Sequence, residues 1–171
     1  MKKLFLSTLI AVALVILPAI PAFAATTADV SVTATPAFIA ITDNVTSYDF
    51  GVVATSSTTQ SNEDWVGITN TSTVQTDMTI AVTGDWTGGV GWTHDNAATP
   101  GADTAGMKSN RGGTWGVSDV IVETLAGSPN YIYENCPATT NYTYGIQLLA
   151  PTSFTDGVQK ANTVRVTAAA G

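Results

Sequence analysis

The chain has one cysteine, one histidine and six basic residues among its 171, and each scarcity removes a class of function. With Cys136 alone there is no internal disulfide, so stability must come from an apolar core. Cys136 can still be read as an intermolecular disulfide or a reactive thiol, or as a buried small hydrophobe. One histidine, His94, and one cysteine leave only carboxylates to complete a zinc site. A Ser–His–Asp or Cys–His centre would need His94, yet no nucleophile-elbow pattern flanks any serine. The expectation is a protein with no catalytic residues and no cofactor. Six Lys and Arg stand against 13 Asp and Glu, a formal net charge of −7. Phosphate backbones and anionic membrane surfaces require clustered basic residues, so neither nucleic acid nor a membrane surface is an expected partner. Threonine, serine and glycine take the place of charge, as they do on exported sheet proteins.

What is present begins with the N-terminus. Lys2 and Lys3 precede LFLSTLIAVALVILPAI, which leads into PAFAA. A short basic region, an apolar core and a small-x-small site (Ala22 and Ala24 around Phe23) describe a secretory signal peptide, residues 1–24, cleaved between Ala24 and Ala25. Pro18 and Pro21 interrupt the run before it reaches the ~20 apolar residues of a membrane helix. The remainder, residues 25–171, is long enough for one domain with its own core. Without Lys2 and Lys3 it keeps Lys108, Arg111, Lys160 and Arg165, for a net charge of about −9. The expected location is secreted, extracellular or on the cell surface, and periplasmic in a Gram-negative host.

Helical periodicity is nearly absent after residue 24, and alternation at period two replaces it. Val30, Val32 and Ala34 share one face of ADVSVTAT, and Pro36 then interrupts an extended run through AFIAI. SYDFGVV alternates Tyr48, Phe50 and Val52; Val66 and Ile68 share a face; DMTIAVT places Met78, Ile80 and Val82 inward. Further strands are expected over Val117–Val122, Tyr131–Tyr133, Tyr142–Leu148 and Val164–Ala168, with turn-forming clusters between them. About eight or nine short strands so spaced predict an all-β, antiparallel β-sandwich of Ig-like or jelly-roll type. Nothing in the spacing selects a barrel.

Two segments, YDFGVVATSS at 48–57 and VGITNTSTVQTDMTIAV at 66–82, resemble bacterial secreted Ig-like domains. Their layout, an FGxV strand, a polar loop and an apolar strand turning at Asn, is similar to the ASPM/Hydin type. It also looks like the TasA/camelysin group of secreted matrix proteins, from which the chain differs in size and in having few lysines. The resemblance covers about a third of the mature chain and implies a sandwich fold. It further implies a structural, adhesive or matrix role with no catalytic residues to carry over.

Three chemical possibilities remain. The first is carbohydrate binding through exposed Trp86, Trp92 or Trp115, against a core role for these rings in a chain poor in Leu and Phe. In GDWTGGVGWTHD, a two-residue turn at Gly88–Gly89 would pair Trp86 with Gly91 and Asp85 with Trp92. That parity sends one tryptophan to the core and one to solvent, and leaves His94 at the start of a loop. The second is calcium, with Asp95 and Asp103 as the candidate ligands in an acidic loop that does not fit an EF-hand. Otherwise no metal is expected. Asn44, Asn70 and Asn141 open N-x-[ST] triplets, a number that chance supplies in so Ser/Thr-rich a chain. The third is self-association, or contact with other surface proteins, by strand exchange, with Val30–Ile41 the candidate donor. The overall expectation is a non-catalytic, secreted structural or surface-interaction protein, self-assembly into a matrix or filament included. Carbohydrate binding, with a polysaccharide as partner, is the alternative. Intact-mass measurement of the exported protein should give the mass of residues 25–171; a mass that retains residues 1–24 would exclude cleavage at Ala24–Ala25.

Overall fold

β-branched and aromatic residues alternating with small polar ones suit a pleated, half-buried surface. Every regular element among the described residues is a strand. The computed structural model describes residues 31, 33, 34 and 36–171; the signal peptide and its cleavage site lie outside that range. Within the unit Pro36–Gly171 the strands are β1 (Ile41–Asp43), β2 (Thr58–Gln60), β3 (Val66–Asn70), β4 (Thr76–Val82), β5 (Thr93–Asp95) and β6 (Thr104–Ser109). They continue with β7 (Val120–Ile121), β8 (Glu123–Thr124), β9 (Asn130–Cys136), β10 (Asn141–Tyr144), β11 (Ile146–Leu149) and β12 (Val164–Ala170).

The fold is an all-β sandwich. β1–β3–β10 form one sheet and β2–β11–β6–β5 a second, to which β7 adds on β6. These two are continuous along the chain, since β2 and β3 run beside β11 and β10 in one antiparallel path. A third sheet has β4 at its centre, with β12 on one side and β8 and β9 on the other. Val66, Ile68, Met107, Tyr144, Ile146 and Leu148 meet Met78, Ile80, Val82 and Ile132 in a single buried cluster. Met78, Ile80 and Val82 are fully inaccessible, as their alternation required. Twelve strands appear where eight or nine were expected: β2, β5 and β6 form in segments not expected to be strands, and others are split. Gly145 divides β10 from β11, and Val122 divides β7 from β8 as the chain passes from β6 to β4.

One expected strand, and the first half of another, are not there. Over 48–52 the Asp49 side chain accepts the Gly51 N–H at 2.8 Å, Gly51 takes a left-handed φ of 67°, and Val52 is left in solvent. Over 117–119 the chain is still in a turn closed by Val117 N–H to Thr114 C=O, and Val117 is exposed. Alternation signals a strand only where the backbone is free to extend, and both segments contain a turn that side-chain pattern does not register.

A buried amide joins the two layers at the β3–β4 turn. Asn70 has no accessible surface; its Nδ2 donates to Cys136 O (3.0 Å) and Pro137 O (3.1 Å), and its Oδ1 accepts the Ser72 N–H (2.9 Å). Its triplet is therefore not a glycan acceptor in the folded chain. Cys136, beside it, is fully buried, and that burial pushes its thiol pKa up. Replacing Asn70 by Ala strands two carbonyls and one N–H inside the protein. Asn70→Ala should cost about 3 kcal/mol, measured as a lower midpoint in urea unfolding with an unchanged slope.

Candidate functional site

The GDWTGGVGW stretch is tied to a distant segment rather than to itself. Thr87 exchanges backbone hydrogen bonds with Ala161 (2.8 and 2.9 Å), and Val90 N–H donates to Asp156 Oδ2 at 2.5 Å. Gly88 and Gly89 both have positive φ, and a Cβ on either would overlap the Gln159 carbonyl or the Asp156 carboxylate. The glycine pair thus serves close approach to 156–160 and not a two-residue hairpin. Trp86 N–H reaches Trp92 C=O at 2.9 Å across residues 87–91.

This corrects the expected parity. Trp86 and Trp92 lie together, with ring centroids 5.8 Å apart and exposures of 7% and 6%, and Phe154 stacks on Trp92 at 5.2 Å. Neither ring offers a face on which a sugar could stack. His94 is likewise not a loop residue: it is buried in β5, its Nε2 is 2.7 Å from Val122 O, and its N–H donates to Asp85 Oδ1 at 2.7 Å. Its Nε2 thus rests on the Val122 carbonyl between β7 and β8, while its Nδ1 is buried without a hydrogen-bond partner among the described residues.

The two tryptophans form one wall of a groove of about 940 Å³. Tyr48, Phe50 and Trp65, an edge-to-face cluster with centroids 4.6 to 4.9 Å apart, also line it. Met107, Ile146 and Leu148 lie among its lining, which reaches Val164 at the start of β12. The Nε1 atoms of Trp86 and Trp92 are buried and have no acceptor among the described residues. On the rim Lys160 Nζ pairs with Asp156 at 2.5 Å and donates to Gly88 O at 2.7 Å.

Trp115 sits elsewhere. It is half-buried beside Gln60, Ser61, Asn62, Glu63, Asp64 and Gly112 in a smaller cleft of about 510 Å³. The three tryptophans therefore do not form one platform. The calcium candidates are also occupied: Asp95 accepts from Ala97 N–H, Thr99 N–H and Thr99 Oγ1, and Asp103 from the N–H and hydroxyl of Thr155. Asp95 closes a turn, and Asp103 ties its loop to Thr155. Among the described residues no three His, Cys, Asp or Glu side chains gather as a metal site.

Comparison with protein-family models, with curated proteins and with solved structures returned no match. The sequence offered Trp115 as a candidate ring, but neither the β12 edge nor the segment that faces Trp115 was legible in it. Each depends on residues at least 50 apart in the chain, as in the bond from Trp115 N–H to Glu63 Oε1.

The rim contact has a pH dependence. The Lys160 ammonium and the Val90 N–H hold the Asp156 carboxyl below its ordinary value of 3.8. A depressed folded pKa means that the contact is complete above the ordinary carboxylate range and is lost as pH falls through the lower, folded value. The Val90 amide resonance should therefore titrate with a midpoint below 3.8, and that step should vanish in Asp156→Asn.

Proposed function

We propose that this protein is a non-catalytic, exported structural subunit that assembles with further copies of itself by adding a strand to the free edge of β12. One observation carries the reading. β12 is seven residues long, pairs with β4 alone among the described residues and begins at Val164 in the lining of the apolar groove. Thr163 accepts from Thr83 N–H and Gly171 N–H donates to Gln75 O, so Arg165, Thr167 and Ala169 point their backbone groups to β4. The N–H and C=O groups of Val164, Val166, Ala168 and Ala170 then face outward. The inward side chains of Val164, Val166 and Ala168 are only half-buried. Long edge strands without a bulge, proline or lysine are templates for pairing with another chain, and β12 has none of these protections.

The donor in this reading is residues 25–35 of a second copy, with Val30, Val32 and Ala34 on the inward face. The donor begins N-terminal to the expected Val30–Ile41 and ends before Pro36, because Phe38, Ala40 and Asn44 are already bonded to Thr73, Thr71 and Gly67 of their own chain. A net charge of about −9 opposes association at low ionic strength, so assembly should strengthen with salt.

Size-exclusion chromatography with light scattering and negative-stain microscopy of the mature protein should show oligomers or filaments. Ala168→Pro removes one outward N–H while sparing the β4 ladder, and deletion of residues 25–35 removes the donor; each should yield monomers with an unchanged circular dichroism spectrum. A mature protein that stays monomeric at millimolar concentration and physiological salt would refute the assembly.

A further inference from the structure

β12 has two ends with different surroundings. At its last residues Ala170 pairs with Thr76, and Gly171 N–H donates to Gln75 O at 3.2 Å, which sets them at the β3–β4 turn. The same turn holds the start of the unit Pro36–Gly171: Phe38 N–H donates to Thr73 Oγ1 at 3.0 Å, and Thr73 N–H to Phe38 O at 2.9 Å. The first residue of β12, Val164, pairs with Val82 at the far end of β4. That end is about 20 Å from the turn for a strand of this length. It holds the aromatic groove, which Val164 lines together with Asp43, the last residue of β1.

Each end carries apolar surface that its own unit does not cover. At the turn end Phe38 and Ile39 are exposed. At the groove end Val52 and Val158, both in the groove lining, are exposed, and Val52 is wholly so. Large apolar side chains left in solvent at two separate places mark contact surfaces. Two different patches that cover each other make a head-to-tail contact, which repeats into a filament or a ring instead of stopping at a dimer.

The two patches also fix the direction of an added strand. A donor whose folded unit stands at the groove end brings Ala34 beside Val164 and Ala28 beside Ala170, antiparallel to β12. A donor standing at the turn end runs parallel to β12 and leaves the groove uncovered. Only the first arrangement carries the donor's Phe38 and Ile39, which follow Thr35 after Pro36 and Ala37, onto the rim at Val52 and Val158. Antiparallel pairing is also the slightly more stable of the two.

We propose that copies of this protein join head to tail, with the Phe38–Ile39 pole of one seated on the aromatic groove of the next and its donor strand antiparallel to β12. This rests on the reading of β12 as the receiving edge, and adds to it a polarity and a second contact.

The test uses the mature protein with paired cysteines on the solvent face of the added strand. Thr33→Cys with Arg165→Cys sets two thiols opposite each other in the antiparallel arrangement, and Thr33→Cys with Ala169→Cys does so in the parallel one. Arg165 and Ala169 stand about 13 Å apart along the strand, and a disulfide needs Cα atoms within ~7 Å, so only one pair can close. Cys136 is buried and stays out of the exchange. Oxidation of the assembled protein should turn the Arg165 pair into a ladder of covalent oligomers on non-reducing gels and leave the Ala169 pair unlinked. Phe38→Ser and Val52→Asp alter exposed side chains, and each should weaken assembly roughly tenfold or more with an unchanged circular dichroism spectrum. No ladder from the Arg165 pair, links closed within single chains, or assembly indifferent to both Phe38→Ser and Val52→Asp overturns the head-to-tail contact without touching β12 as the receiving edge. Failure of that edge has its own sign, an assembly that Ala168→Pro leaves intact.

Discussion

The sandwich turns on Gly145. Its N–H donates to the buried Asn110 side chain and its C=O accepts from the buried Ser109 hydroxyl at 2.8 Å. At this point the strand leaves the ladder with β3 and enters the ladder with β2 and β6. The Ser61 hydroxyl bridges the same break from the other side by accepting the Ile146 N–H. A buried backbone that stops pairing must find substitutes for its hydrogen bonds, because an unpaired N–H or C=O there costs about 1 to 3 kcal/mol. Here Ser61, Ser109 and Asn110 supply them. That explains three buried polar side chains that a sandwich core would otherwise exclude.

The same residue ties architecture to surface chemistry. Because Gly145 has no side chain, Trp115 can lie against the backbone, and the 110–119 loop is drawn toward Glu63. The Trp115 cleft is thus a by-product of the strand break. The aromatic groove has a different origin. Residues 87–91 reach across to 156–161 through Thr87, Val90 and Asp156, which pulls Trp86 and Trp92 inward onto Phe154. In a chain with no disulfide, these rings supply apolar area that scarce leucine and phenylalanine do not.

Much of the fold was legible because side-chain alternation and burial report the same geometry. Met78, Ile80 and Val82 faced inward as expected, and in the expected Tyr142–Leu148 stretch Tyr144, Ile146 and Leu148 are buried. Where expectation failed, a local hydrogen bond had overridden the pattern. Asp49 curled the chain at Gly51, and Asp156 together with Ala161 took the backbone partners that a two-residue hairpin at Gly88–Gly89 would have used. Acidic side chains accepting backbone N–H groups recur throughout, at Asp49, Asp85, Asp95, Asp103 and Asp156. Several of the carboxylates that composition offers as ligands therefore close turns or tie distant segments together.

The sequence by itself determined the class of structure: short alternating strands, one cysteine and an acidic, lysine-poor surface admit a β-sandwich stabilised by its core. Those properties depend on neighbours along the chain and on totals, which a sequence displays directly. Only the tertiary structure decided which aromatic rings are buried, which carboxylates are occupied and which strand is left with an open edge. Each of these depends on what a distant segment does. The partner of Val90 lies 66 residues away and that of the Trp115 N–H lies 52 away, and no local pattern encodes a meeting across that distance.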